Sequence, residues 1–140
     1  MYFIFLFVFL LIWKFSTKNK IEKFSKKREF NLFGKINRSK EEIAEGFMHR
    51  TDPLEYNEAM LFDMGLEKNH SMWMENTHLS LDILFLDRNF KVVGFVENAT
   101  PRSLEHLSIG KKSRYIIETN AGYVKKHQLE QGDTIKFNEI

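Results

Sequence analysis

The stretch Met72–Asp87 constrains the fold more than any other part of this chain. It holds Trp73, a cluster of polar residues and the longest apolar run outside the N-terminus. Branched and aromatic residues favour strands, and a tryptophan beside a polar turn forms a rigid floor with a polar rim. The stretch therefore predicts a β-rich domain with a site near Trp73, without indicating a reaction.

Apolar alternation and turn residues predict about seven short strands. One helix is predicted over Arg38–Arg50, where Ser39 and Glu42 form a capping box, and a second over Ala121–Gln128, capped by Asn120. A polar loop is predicted up to His70 and a hairpin turn at Arg88-Asn89. The expected fold is mainly β with two short helices (α+β), a small, mostly antiparallel β-sandwich or barrel rather than a parallel βαβ fold. The predicted strands cover residues 30–36, 59–63, 71–74, 81–87, 90–96, 113–119 and 134–137.

The length of 140 residues, with 43% hydrophobic residues, suits one domain with a short extra segment. We assign residues 1–15 to an N-terminal apolar helix, 16–29 to a basic linker and 30–140 to a single β-rich domain. The chain has no cysteine, which excludes disulfides, cysteine nucleophiles and thiolate metal sites.

The N-terminal run Met1–Trp13 is unbroken in apolar character and is closed by Lys14. As a helix it would extend roughly 20 Å, which is short against a hydrocarbon core of about 30 Å. No basic region precedes it and no small-residue cleavage site follows, so we predict an uncleaved membrane anchor, with a cleaved signal or a helix packed on the domain as the alternatives. The residues predicted to enter the membrane are Phe3, Phe5, Leu6, Phe7, Phe9, Leu10, Leu11 and Trp13.

The net charge of +2 is unevenly distributed. Residues 14–29 carry seven basic and two acidic residues, whereas the rest of the chain carries 14 basic and 17 acidic residues. A mildly acidic domain does not favour nucleic-acid binding, while a basic cluster beside an apolar segment is typical of a membrane surface. The positive-inside rule alone would place the domain in the cytoplasm.

Several motifs resemble one family, the domain of unknown function 192. The most specific is Trp73-Met-Glu-Asn-Thr77 followed by Leu81-Asp-Ile-Leu-Phe-Leu-Asp87, and the resemblance extends over about residues 30–138. The other matching segments are Gly46–Arg50, Met60–Phe62, Val92-Val93, Pro101, Ile117-Glu118, Ala121-Gly122 and Gly132-Asp133; the departures are Phe47, Ala59, Glu75 and Asn89. The resemblance implies a small β-sandwich or barrel and no established activity. Many relatives look exported or membrane-tethered, so we predict an extracytoplasmic domain.

Candidate site residues are polar or aromatic groups near the central stretch. Arg50 is expected to cap its helix, or to pair with Asp82 or Glu118 across a cleft. Trp73 is an anchor or a stacking platform, and Asn76 and Thr77 are turn residues or ligand contacts. The full set predicted to bind a ligand is Arg50, Trp73, Asn76, Thr77, Asp82, Glu118 and Asn120.

No catalytic signature appears in the chain, and its five histidines lack the spacing of metal ligands. We therefore expect no metal and no cofactor, and a membrane-tethered binding or accessory module whose partner is a glycan, a peptide or an envelope protein. The alternatives are a hydrolase that uses Asp82 and Glu118 as paired carboxyl groups, and a purely structural envelope component.

Overall fold

The computed structural model describes residues 8–14 and 28–140. The first described segment, 8–14, is an apolar helix (α1), and no helix of the described residues is long and apolar enough to cross a membrane. The predicted anchor positions Phe3, Phe5, Leu6 and Phe7 lie outside the described residues, as does most of the predicted linker.

The domain is mainly β. Its elements are β1 (Glu29–Asn37), α2 (Lys40–Glu45), β2 (Glu58–Asn69), β3 (Leu81–Leu86), β4 (Val92–Ala99), β5 (Lys112–Asn120), α3 (Tyr123–His127) and β6 (Thr134–Glu139). The six strands form one curled sheet in the order β4-β3-β5-β2-β1-β6. At one end the edge strand β6 meets the residues just before the other edge strand, β4. The Ile135 amide donates there to the Phe90 carbonyl at 2.9 Å. The sheet is thus a half-barrel.

The pairing is mixed rather than uniformly antiparallel. The strand β2 pairs antiparallel with β5, and β3 pairs antiparallel with both β4 and β5, but β1 runs parallel to both β2 and β6. The segment from β1 through α2 to β2 is therefore a parallel βαβ unit, which the sequence analysis did not predict. Gly34 permits the close approach, since a Cβ there would lie 1.7 Å from the Ala59 carbonyl oxygen.

Two apolar clusters lie on the two faces of the sheet. Every strand contributes at least one buried residue to the inner face, and α3 covers one end of this face with Tyr123 and Val124. The outer face is covered by loops that carry Phe47, Leu54, Met72 and Met74. The buried inner-face strand residues are Leu32, Ala59, Leu61, Leu84, Leu86, Val92, Ile117 and Ile135.

Several local predictions are confirmed and others are wrong. The hairpin of β3 and β4 and the Ser39–Glu42 capping box are present. The helix α2 ends at Glu45 instead of Arg50, because Gly46 takes a positive φ of 48°. The strand β2 continues to Asn69 where a polar loop was predicted, and the predicted strand at 71–74 is only a single bridge between Met72 and Leu107.

Candidate binding site

Asp82 and Glu118 lie on opposite faces of the sheet. In the β3–β5 ladder, Asp82 pairs with Thr119 and Ile83 pairs with Glu118. Successive side chains of a strand alternate between faces, so Asp82 shares the inner face with Leu84, and Glu118 shares the outer face with Ile83. The two carboxyl groups therefore do not form the facing pair that glycoside hydrolysis requires.

Asp82 is fully buried and joins two segments through its carboxylate. One oxygen accepts a hydrogen bond from the Asn98 amide at 2.8 Å, and the other accepts from the Val124 amide at 2.9 Å. The second bond satisfies an amide in the first turn of α3, where the N-cap residue Gly122 has no side chain to do so. Asp82 thus holds α3 against the inner face.

Asn120 does not cap α3, contrary to the prediction. Its side-chain amide donates to the carbonyl of Glu55 at 2.9 Å and to that of Leu54 at 3.5 Å. The side chain therefore lies on the outer face and ties the loop between α2 and β2 to the end of β5.

Glu118 is a buried carboxyl group in apolar surroundings. Glu118 is 4% exposed, and its cross-strand neighbours are Met60 and Ile83. Among the described residues, its side chain forms no ion pair and accepts no hydrogen bond from the protein. Burial raises the pKa of Glu118 to about 8, so the carboxyl group is mainly protonated at neutral pH.

Gly46 lies directly over this carboxyl group. A Cβ on Gly46 would lie 3.4 Å from a Glu118 carboxylate oxygen and 3.3 Å from the Phe62 ring. Gly46 thus ends α2 and, having no side chain, lets the chain approach Glu118 closely. The loop that begins at Gly46 seals Glu118 from the outer side.

Arg50 pairs with neither Asp82 nor Glu118. Its guanidinium binds both carboxylate oxygens of Glu58, one of them at 3.0 Å, and also donates to the carbonyls of Asp52 and Pro53. The hydrogen bond from Arg50 lowers the pKa of Glu58. Arg50 therefore connects the loop between α2 and β2 to the first residue of β2.

The remaining predicted residues lie on or near the outer surface. Trp73 is 42% exposed and stacks on His106 with ring centroids 6.3 Å apart. Asn76 has a positive φ of 50°, and its carbonyl accepts from the His49 amide. Thr77 is buried and donates to the Glu75 carbonyl at 3.1 Å. Six of the seven predicted residues thus share the outer side, and Asp82 alone lies within the half-barrel.

A cavity of about 360 Å³ lies at the mouth of the inner face, where α3 does not reach. Small-molecule sites are commonly concave and mostly apolar, with volumes of roughly 300–1,000 Å³. The ring of Phe90 stacks on Tyr115 with centroids 4.3 Å apart and forms part of the wall. The lining residues are Ile36, Arg38, Leu61, Asp63, Phe90, Tyr115, Ile135, Lys136 and Phe137. None of the residues predicted from the sequence lines this cavity.

Charged side chains border the cavity in pairs. Arg38 donates to both carboxylate oxygens of Glu139, at 2.9 and 3.1 Å. Asp63 pairs with Arg114 at 2.8 Å. Lys136 also contacts the cavity, but it alternates along β6 with the inner-face residues Ile135 and Phe137, so its side chain projects from the opposite face of the sheet. The mouth therefore has an apolar wall, and the charged side chains that border it, Arg38 and Asp63, are each paired.

Sequence reasoning missed this cavity because its wall comes from four strands and two connecting segments. Ile36 and Phe137 stand near the ends of β1 and β6, which become neighbours only through their parallel pairing. The available signal was modest: near the end of each of these two strands an apolar residue follows a lysine, as Lys35-Ile36 and Lys136-Phe137.

Comparisons with known proteins place the chain among uncharacterised proteins. The family model DUF192, described as Uncharacterized ACR, matches residues 23–137. A solved structure from Sinorhizobium meliloti 1021, described as a "putative transcription regulator", is 32% identical, with a TM-score of 0.69, covering 72% of this chain and 78% of that one. A protein of unknown function from Novosphingobium aromaticivorans DSM 12444 is 29% identical, with a TM-score of 0.68, covering 72% and 71% respectively. No curated protein matches significantly.

Proposed function

Since the chain belongs to the DUF192 family, which supplies a fold without an activity, we propose from its geometry that it is a membrane-attached module that binds a small apolar molecule in the inner cavity. The observation that carries the proposal is the cavity of about 360 Å³ with partly exposed apolar side chains at its wall. When a ligand removes apolar surface of such a concave site from water, the free energy becomes more favourable by about 25 cal/mol per Å².

The architecture supports such a role because the two ends of the inner face differ. At one end Asp82 holds α3 over the apolar cluster, and at the other end Ile36 and Phe137 line the open cavity. A ligand at the open mouth would complete the core that α3 completes at the opposite end. This scaffold is held by strand pairing and does not require a large movement to receive the ligand.

Nucleic-acid binding is not favoured, although one similar structure carries a regulator's name. Outside residues 14–29 the chain has 14 basic and 17 acidic residues. DNA-binding surfaces neutralise phosphates with clustered basic side chains.

A variant that fills the cavity tests the binding proposal. Indole is a suitable probe because it is apolar, small and soluble in water. We expect Ile36→Trp to weaken indole binding by more than about tenfold, which corresponds to about 1.4 kcal/mol, because the larger side chain occupies the mouth. Saturation-transfer NMR and calorimetry of the full chain in nanodiscs, with empty nanodiscs subtracted, would measure it.

Leu66→Trp is the matched control, because Leu66 is 70% exposed on β2 and lies outside the cavity. It adds an indole ring without filling the mouth and should leave binding unchanged. Failure of the parent chain to bind indole, or equal binding by the Ile36→Trp protein with an unchanged melting temperature, would refute the proposed site.

Membrane attachment is proposed to depend on α1, whose apolar side chains are exposed. Phe9, Leu11, Ile12 and Trp13 are 78%, 58%, 62% and 66% exposed. An exposed apolar patch of this kind marks a protein or membrane interaction. Replacing Phe9 and Ile12 by aspartate should abolish co-flotation with lipid vesicles, since a charged residue within a bilayer costs about 2.5–3.5 kcal/mol.

Leu66→Asp serves as the control, because it removes an exposed apolar side chain from the domain instead of from α1. Undiminished flotation of the doubly substituted chain would contradict the proposal. Resistance of the domain to protease added outside intact cells would contradict the proposed extracytoplasmic placement.

A further inference from the structure

We propose that the open edge of β4 receives an extended peptide of a partner protein as an additional strand, with apolar side chains at alternate positions and an acidic residue beside Lys111. Such binding is independent of the inner cavity, because none of the residues that line the groove along β4 lines that cavity.

The backbone of β4 is left open over most of its length. Within the described sheet β4 is an edge strand that pairs only with β3. The turn at Gly132 covers its first residue, since the Val92 amide donates to the Asp133 carbonyl and the Gly132 amide donates to the Val92 carbonyl, both at 2.8 Å. No described segment other than β3 forms a backbone hydrogen bond with residues 94–97. Alternate residues of an edge strand point their amide and carbonyl groups away from the sheet, so this part of β4 can pair with one more strand.

A groove of about 320 Å³ follows this edge. It is lined by residues 93–96 of β4 and by Ser108, Ile109 and Lys111 of the loop before β5. Gly94 lets the loop lie close to the strand, because a Cβ there would lie 2.8 Å from the Ile109 Cδ1 atom. Four strand residues extend about 13 Å, at roughly 3.3 Å each, which suits a short extended segment.

The loop wall of the groove is braced and apolar. The Ser108 hydroxyl donates to the Asn69 side-chain oxygen at 2.8 Å and accepts from the Gly110 amide at 3.2 Å. Ile109 and Val96 are partly buried apolar side chains packed on the outer-face cluster. An incoming strand with apolar residues at every second position would cover them, which is how added strands gain specificity beyond their backbone hydrogen bonds.

Lys111 places a positive charge at the Val93 end of the groove. Its ammonium group donates to the Val93 carbonyl at 3.5 Å and to the Gln131 side-chain oxygen at 3.2 Å. Both acceptors are neutral, and Lys111 forms no ion pair within residues 8–14 and 28–140. An acidic side chain at this end of the peptide would supply the anion. In an antiparallel strand, the slightly more stable pairing, this is the carboxyl end of the peptide.

Two fluorescein-labelled peptides test the charge. They are Gly-Thr-Val-Thr-Val-Thr-Glu-amide and the same peptide ending in glutamine, each labelled at its amino end. Fluorescence anisotropy with the full chain in nanodiscs, with empty nanodiscs as the blank, would give their affinities. We expect the glutamate peptide to bind about threefold more tightly, as an exposed ion pair allows, and the preference to weaken as salt is added.

Lys111→Gln should remove this preference and leave binding of the glutamine peptide unchanged. Lys112→Gln is the matched control, because Lys112 is an exposed neighbouring lysine that does not line the groove. It should bind both peptides as the parent chain does. Absence of binding by either peptide, or equal binding of both by the parent chain, would overturn the proposal.

Backbone N-methylation of the glutamate peptide tests the strand pairing. One version is methylated on the threonine amides, and the other on the valine and glutamate amides. Since only alternate residues of an added strand face β4, we expect one version to lose at least about tenfold in affinity and the other to bind nearly as the parent peptide does. Hydrogen exchange at residues 94–97 should slow when the parent peptide binds. Equal effects of the two methylation patterns would show that the peptide does not bind as a strand.

Discussion

Glu118→Gln is expected to raise the free energy of unfolding at pH 9 by on the order of 5 kcal/mol and to leave it nearly unchanged at pH 4. The reason is that the parent chain must bury a charged carboxylate at high pH, whereas glutamine has a similar shape and stays neutral. Urea unfolding of both proteins at intervals between pH 4 and pH 9 would measure the difference.

The sign follows from the two pKa values. Burial raises the pKa of Glu118 to about 8 in the folded chain, against an ordinary value of 4.5. Between these values the folded state keeps a proton that the unfolded state has released, so the contribution of Glu118 to stability falls as pH rises. The full contribution is present below the ordinary pKa, is lost progressively up to about pH 8, and changes no further above it.

Glu97→Gln is the control, since Glu97 is an exposed glutamate on β4. Its curve should follow that of the parent chain. A difference between the parent and the Glu118→Gln protein that is small and constant across the pH range would show that Glu118 is solvated or paired in solution. The loop beginning at Gly46 would then not seal it.

Asp82→Ala is expected to lower the free energy of unfolding by about 4 kcal/mol, because it leaves one buried and one partly buried amide without an acceptor, at about 1–3 kcal/mol each. The amides of Asn98 and Val124 both donate to this carboxylate. Denaturant unfolding would measure the lost stability. The rate of amide hydrogen exchange should increase most at Val124, where α3 begins.

Asp52→Ala is the matched control, because Asp52 is exposed in the loop between α2 and β2, and a surface change of this kind stays within about 0.5 kcal/mol. Asp82→Asn keeps one carbonyl acceptor and should fall between the parent chain and Asp82→Ala. If Asp82→Ala unfolds like the parent chain and Val124 keeps its protection, the attachment of α3 does not depend on this carboxylate.

The two predictions concern residues that the sequence singled out for a different reason. Asp82 and Glu118 were predicted to bind a ligand or, alternatively, to form the carboxyl pair of a hydrolase, and in the structure both are buried within strands. Their partners could not be read from the chain, because Asp82 meets Val124 across 42 positions. The sequence also did not show that the two carboxyl groups lie on opposite faces. Alternation fixes which residues of one strand share a face, but not the register between two strands.

Local chemistry was sufficient wherever a feature closes within a few residues. The capping box at Ser39 and Glu42 lies within four residues, and the β3–β4 hairpin is joined by a short turn whose backbone amides are held by Asp87. The N-terminal cap of α3 could not be predicted from neighbouring residues, because the hydrogen-bond acceptor, Asp82, comes from β3. The end of β2 was missed for a similar reason: its polar residues up to Asn69 are kept in a strand by pairing with the start of β5.

The sequence by itself determined the family, the β-rich class and most strand positions, because these depend on residue type and short-range periodicity. Only the tertiary structure decided that β1 runs parallel to β2 and β6, that Asp82 and Glu118 face opposite ways, and that a cavity opens beside Tyr115. Those features depend on which distant strands become neighbours, and strand order is set by the packing of the whole sheet rather than by any one segment.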